Sequence, residues 1–212
     1  MSAQAAPRTR TRLEPEARQT QILNQAAKLI AAEGLASVSM ERIAREAGVS
    51  KALVYNYFSS QANLLRALLK RDLERVQQEQ MHAATSARSF PELVRNTTHT
   101  ALVEIEGRGA LVRRLLSEPS LADAVGAVRT HEHDTNARYL AKRIAKEFAI
   151  SIADALPLTE IGLGLTIAAG DYLQKSRAPR TDVEEMTIAM IIAAVKAGAA
   201  QCRKRAKIRK AG

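Results

Sequence analysis

The stretch SMERIAREAGVSKALVYNYF, residues 39–58, constrains this chain more than any other. It holds two short helical patterns, MERIAREA and KALVYNY, separated by Ala47-Gly48-Val49. A corner that tight needs a residue that takes positive φ without steric cost, and Gly48 is such a residue. Ile43, Ala44 and Ala47 before the corner, with Val49 and Val54 after it, can fill the angle between two crossed helices. Ser39 and Ser50 stand where the two helices begin, as N-caps. The second helix is too short to serve only as a core element. In a helix-turn-helix its first residues reach base edges in the major groove. Here those residues are Ser50, Lys51, Ala52 and Leu53. Lys51 can donate to guanine or to phosphate oxygens, and Ala52 and Leu53 offer apolar contact to a thymine methyl.

The end of the same stretch, VYNYF, gathers Tyr55, Tyr57 and Phe58, three of only seven aromatic residues in a chain without Trp. A phenol can donate to a phosphate oxygen while its ring packs behind the contact. Tyr55 and Tyr57 therefore suit anchoring of a duplex backbone, a contact that positions rather than specifies. Phe58 suits the core, locking the short helices to the long helix that follows. The competing assignment places all three rings in the core.

Residues 16–65 resemble the DNA-binding domain of the tetracycline-repressor-like (TetR) family of bacterial regulators. The marks are Ile22-Leu23 with Ala26, Gly34, Ser39, Ile43-Ala44, Ala47-Gly48-Val49-Ser50, Tyr55-x-Tyr57-Phe58 and Leu64-Leu65. The resemblance implies a homodimer on a palindromic operator and a helical C-terminal domain that binds a small effector. It also implies phosphate contacts from Ser39, Tyr55 and Tyr57, and base-region contacts from Lys51 to Leu53 and from Asn56. Two positions depart from the pattern. Gln61 stands where the family commonly has Lys, and Leu53 where a Thr is common. Both weaken the attraction to phosphate that is independent of sequence.

Charge placement bears on that deficit. The net charge is +10, and residues 1–12 and 203–212 together account for nine of it. The first carries Arg8, Arg10 and Arg12; the second, RKRAKIRKAG, carries six basic residues; neither contains an acid. Residues 13–60 hold five basic and five acidic residues and are neutral. The Arg8-x-Arg10-x-Arg12 arm is thus the expected source of electrostatic attraction, entering the minor groove beside the recognition helix. Such tails are usually disordered, and they either seek polyanions or merely aid solubility.

Helical periodicity dominates the rest, and no run alternates long enough to argue for a strand. The expected fold is all-α with about nine helices. It comprises a basic arm (1–12), a helix-turn-helix domain (13–60), a helical regulatory and dimerisation domain (61–202) and a basic tail (203–212). The fifth helix is expected to stop before Gly107 and Gly109, with a sixth after them. A longer pattern follows from Leu121 to Asp154, then one from Pro157, and a last helix to about Arg205.

Candidate effector contacts are Thr97, Thr98 and Leu102 on the fifth helix, His133 on the seventh and Tyr172 on the eighth. The threonine hydroxyls either bond back to their own helix or face a cavity. Few aromatics are available to cage a flat cation, so an aliphatic or acyl-like effector fits better. Gly162, Gly164, Ala168, Ala169 and Gly170, and Ala193, Ala194, Ala197, Gly198, Ala199 and Ala200, crowd the last two helices. They suit either a close dimer seam or tight packing within one chain.

No cofactor or metal is expected. His131 and His133 diverge on a helix, and Cys202 is the one cysteine, so neither a thiolate cluster nor an intrachain disulfide can form. No nucleophile or acid–base constellation argues for an enzyme. The opening MSAQAAPRTRTR lacks the apolar run of a signal peptide, and ALPLTEIGLGLTIAAG reads as too short and mixed to span a bilayer, so a cytoplasmic protein is expected. The leading expectation is a ligand-responsive transcriptional repressor; the alternative is a non-specific architectural DNA-binding protein.

Overall fold

The computed structural model describes residues 14–116, 118 and 121–211, with the side chains at 108–110, 113, 116, 122–134 and 209–211 outside that description. Among the described residues there are eight α-helices, one 3-10 turn at Leu35–Ser37 and no strand. The helices are α1 (Pro15–Glu33), α2 (Met40–Glu46), α3 (Lys51–Tyr57), α4 (Gln61–Ser86), α5 (Phe90–Leu116), α6 (Ala122–Phe148), α7 (Ile152–Lys175) and α8 (Arg180–Ala211). The chain divides into two compact units, Met1–Leu68 and Leu69–Gly212, and the division falls inside α4.

In the first unit α1 begins with Pro15, whose fixed φ and missing N–H suit a first turn. It ends at Gly34, where φ is +88° and the amide donates to the Ile30 carbonyl at 3.0 Å. Its inner face buries Ile22, Leu23, Ala26, Ala27, Leu29 and Ile30. Ile22, Ile30, Ile43, Val54, Leu64 and Leu68 are the unit's most completely buried large side chains. Each contributes roughly 1.5–3 kcal/mol by leaving water.

The second unit has fewer helices than the sequence predicts. α5 runs unbroken through Gly107 and Gly109, where a break was expected, so eight helices stand in place of nine. A glycine inside a helix costs only about 1 kcal/mol. Burial of Leu102, Leu111 and Leu115 along α5 offsets that. The next boundary is also displaced. α6 closes at Ala149, which takes a left-handed φ of +51°, and the Ile150 amide returns to the Ala145 carbonyl at 3.1 Å. Ser151 then caps α7 by accepting from the Asp154 amide at 3.0 Å, which leaves Pro157 inside the helix rather than at its start.

Two larger clusters, beside a small one of Ala84, Ala87 and Leu93, form the core of this unit. One joins Phe90, Ile144, Ile188, Ile191 and Val195, with Phe148 edge-on to Phe90 at a centroid distance of 5.0 Å. The other joins Leu102, Ala169, Leu173 and Val183. Cys202 is buried and free.

α8 continues as helix to Ala211, beyond the expected end near Arg205, so most of the basic tail is helical. Cations near a helix C-terminus are favoured by the helix dipole. Arg203 contributes a specific contact, donating to the Phe148 carbonyl at the end of α6 at 2.8 Å.

Candidate nucleic-acid interface

The corner between α2 and α3 is built from backbone hydrogen bonds. The Gly48 amide donates to the Arg45 carbonyl at 3.1 Å and the Val49 amide to the Ala44 carbonyl at 3.0 Å. Gly48 has φ +65°, a conformation that L side chains rarely adopt. Ser39 caps α2 by accepting from the Arg42 amide, and Ser50 caps α3 by accepting from the Leu53 amide, both at 3.2 Å. Gln21 on α1 donates to the Ala47 carbonyl at 2.8 Å and so ties the corner to the first helix. Sequence reasoning did not single out Gln21, whose polar side chain carries no local signal of a target 26 residues away.

α3 buries one side chain completely, Val54. On the opposite side Lys51, Ala52, Tyr55 and Asn56 are exposed and share one face at helical spacing. Leu53 and Tyr57 flank that face, half-buried. Ser50 is exposed ahead of it, Ser39 is half-buried at the start of α2, and Gln61 is half-buried as the first residue of α4. Phe58 is buried and closes α3, its amide donating to the Val54 carbonyl at 2.9 Å. Arg8, Arg10 and Arg12 lie outside the described residues.

Each of the three cations on α2 and α3 faces a carboxylate. Arg42 pairs with Glu33 at 2.6 Å, Arg45 approaches Glu46 at 3.7 Å, and Lys51 pairs with Glu41. The Lys51 ammonium also lies 5.8 Å from the centre of the Tyr55 ring. The hydrogen bond from Lys51 holds the Glu41 carboxyl below its ordinary pKa, and the same bond holds Lys51 above its own. Both groups are therefore charged at neutral pH.

Among the described residues of the second unit, three concavities stand out. An open groove of about 810 Å³ runs along α4, α5 and α8. Its walls are ion-paired. Arg75 binds Glu79 at 2.7 Å and Glu104 at 3.0 Å, and His99 meets Glu184 at 2.9 Å. The other two, about 40 and 180 Å³, lie between the helices and share Thr97, Leu140, Leu163 and Thr166. The larger is lined chiefly by apolar side chains such as Met81, Ile105 and Ile167. Asn136 also lines it, and the Asn136 Oδ1 is buried without a hydrogen-bond partner.

The candidate effector contacts separate on this map. Thr97 lines both cavities between the helices, although its hydroxyl donates back to the Leu93 carbonyl at 2.8 Å. Thr98 is buried beside the smaller cavity. Leu102 is core and borders none of the three, and Tyr172 is 54% exposed and also borders none. The side chain of His133 lies outside those described. Asn136 and Tyr139, which do line the larger cavity, were not singled out from sequence.

The small residues of α7 and α8 divide as well. A side chain at Gly170 would collide with Ile105, one at Gly198 with Leu158, and one at Gly162 would touch Ile191 at 3.4 Å. These three glycines serve packing within the chain. Gly164, Ala168, Ala193, Ala194 and Ala197 are exposed instead. With them on the surface stand Ile161, Ile167, Met186 and Met190. By length and composition α7 is apolar enough to cross a membrane, contrary to the expectation from its sequence, yet it packs against α5, α6 and α8.

Comparison with known proteins bears on this geometry. Residues 22–68 match the sequence profile of the N-terminal domain described as "Bacterial regulatory proteins, tetR family". The chain is 39% identical over 64 residues to the HTH-type transcriptional regulator HbdR of Aromatoleum sp. (strain CIB). That alignment covers 30% of this chain and 28% of HbdR, well under two thirds of the relative's length. The fold is similar to a TetR-family transcriptional regulator from Streptomyces coelicolor, with 20% identity, TM-score 0.68, and 93% and 89% of the two chains covered. It is also similar to a protein from Mesorhizobium loti described as a TetR-family regulator, with 18% identity, TM-score 0.74, and 88% and 98% covered. A glycine corner between two capped short helices and the profile match across it identify residues 22–68 as a DNA-binding domain of the tetracycline-repressor type, and the all-helical body shares the fold of the solved regulators.

Proposed function

We propose that this chain is a dimeric transcriptional repressor that reads a palindromic operator through α3 and releases it when a small effector fills the interior of the second unit. The observation that carries the reading is the exposed row Lys51, Ala52, Tyr55 and Asn56, held rigidly by Val54 and Phe58 on the other side. Lys51 to Leu53 and Asn56 face the bases, and Ser39, Tyr55 and Tyr57 hold the backbone. Ser50 starts the helix. Gln61 supplies an uncharged contact, and the Arg8, Arg10 and Arg12 arm adds attraction from the minor groove.

The seam is formed by the exposed apolar face of α7 and α8. A monomer rarely leaves so continuous a patch in water. Two copies meeting there would bury Ile161, Met186 and Met190 and use the exposed glycine and alanines for close approach. A twofold axis would then set two α3 helices about 34–36 Å apart, one duplex turn.

The effector belongs to the two neighbouring cavities that share Thr97, Leu140, Leu163 and Thr166. Their lining suits an aliphatic molecule, with Thr97 and Thr98 at the wall and Asn136 to accept a hydrogen bond from it. Leu102 supports that wall from the core, and Tyr172 stands on the seam side of α7. Occupancy changes the spacing of the two recognition helices, and only one spacing fits both half-sites.

Selection of duplexes from a random pool, followed by competition against unrelated DNA at fixed salt, tests the reading. A repressor favours its selected site by about a thousandfold or more. Equal affinity for all duplexes would favour a non-specific architectural protein that works through its basic extensions.

A further inference from the structure

The reading face is electrically closed before it meets DNA. All three cations on α2 and α3 have a carboxylate beside them, and Lys51, the first residue of α3, is held by Glu41 from α2. The Tyr55 ring backs the same ammonium, 5.8 Å away. Both partners of the Lys51–Glu41 pair remain more than half exposed, at 57% and 54% of their side-chain surface. The pair is therefore accessible to exchange rather than locked in the core. On a duplex of arbitrary sequence, where Lys51 has no base to contact, a phosphate that takes it must displace a carboxylate already in place, and that carboxylate then remains near a polyanion.

We propose that Glu41 is a specificity-determining residue, a built-in competitor of the phosphate backbone that keeps α3 from engaging duplexes of arbitrary sequence. Phosphate attraction is the same for every duplex, so cancelling it at Lys51 lowers non-specific binding directly. Base contacts by the exposed face differ between duplexes, so they alone decide where exchange of the pair is compensated. The proposal rests on α3 facing DNA and adds to that reading a residue outside α3 which sets how selective the face is.

The test uses full-length wild type, Glu41→Gln, Lys51→Met and the double variant. The probes are an arbitrary duplex of about 30 bp and the tightest duplex that wild type recovers from a random pool, titrated between about 50 and 200 mM salt. Glu41→Gln keeps the hydrogen-bonding shape and frees the ammonium. Its salt slope on the arbitrary duplex should steepen by about 0.9, with binding up to about tenfold tighter near 0.1 M salt. Its preference for the selected duplex should fall correspondingly. Adding Glu41→Gln to Lys51→Met should steepen nothing, because the competitor has lost what it competes for.

A Glu41→Gln slope equal to wild type overturns the proposal. So does equal steepening in the Lys51→Met background, which would mark a general loss of negative charge. If wild type binds no duplex at all, the DNA-reading function fails beneath it; if wild type binds and Glu41→Gln matches it, Glu41 alone is misassigned. Circular dichroism of each variant confirms that the helices are intact.

Discussion

Helices α3 and α7 both leave much of their surface uncovered, with opposite chemistry. α3 has seven residues, buries Val54, and presents Lys51, Tyr55 and Asn56. α7 has 24 residues and presents Ile161, Gly164, Ile167 and Ala168. A polar face can stay in water until a hydrated, charged partner arrives, and such interfaces remain wet. An apolar face of that extent is satisfied only by another apolar face, and a second copy of the same chain is always at hand. The comparison teaches that the partner of a helix is read from what it leaves out of its own core.

Tyr55 on α3 and Phe58 just past its end give the largest way to break this contrast. Phe58 is 4% exposed and Tyr55 is 42% exposed, three positions apart. Phe58→Ala should destabilise the first unit by about 3–5 kcal/mol, read as a lowered midpoint in chemical unfolding. A loss under about 1 kcal/mol would mean the ring is not core.

The apolar face comes next. Ile161→Glu combined with Met190→Glu should leave the fold intact and yield monomers by sedimentation at micromolar concentration. Operator affinity should then drop by at least about a hundredfold, because each half-site must bind alone. Dimers that persist with both charges present would assign the seam elsewhere.

A smaller effect sharpens the polar face. Tyr55→Phe removes only the hydroxyl. It should leave unfolding stability within about 0.5 kcal/mol and weaken duplex binding by roughly tenfold, since a hydrogen bond to a charged phosphate contributes about 1.5 kcal/mol. Unchanged binding would return that ring to a purely structural role. Smallest is the cap. Ser50→Ala removes the acceptor for the Leu53 amide and should cost about 1 kcal/mol of stability. Ser50→Gly should cost only a few tenths.

The reach of sequence reasoning follows the same division. In the first unit the informative spacings are local. Gly48, the two caps and Phe58 act within a few residues, so a linear pattern carries them. The Glu41–Lys51 pair escapes because it spans the corner, and the crossing angle that brings the two together is not written in either helix. In the second unit periodicity identifies a shared face but not what lies against it. Tyr172 falls in the stripe of Ile161, Leu165 and Ala168, but Ile161, Ala168 and Tyr172 are exposed and none of the four borders the three concavities. Gly170 and Gly198 look like seam residues until Ile105 and Leu158 are seen against them. α5 looks broken at two glycines because the packing that buries Leu102, Leu111 and Leu115 along it comes from other helices.

Amide hydrogen exchange of the full chain, with and without its selected duplex, tests the placement of α3 against DNA most directly. Protection should concentrate in residues 50–57, with two chains bound per duplex. Tight binding of the duplex that leaves the amides of residues 39–61 exchanging as in the free protein would contradict it.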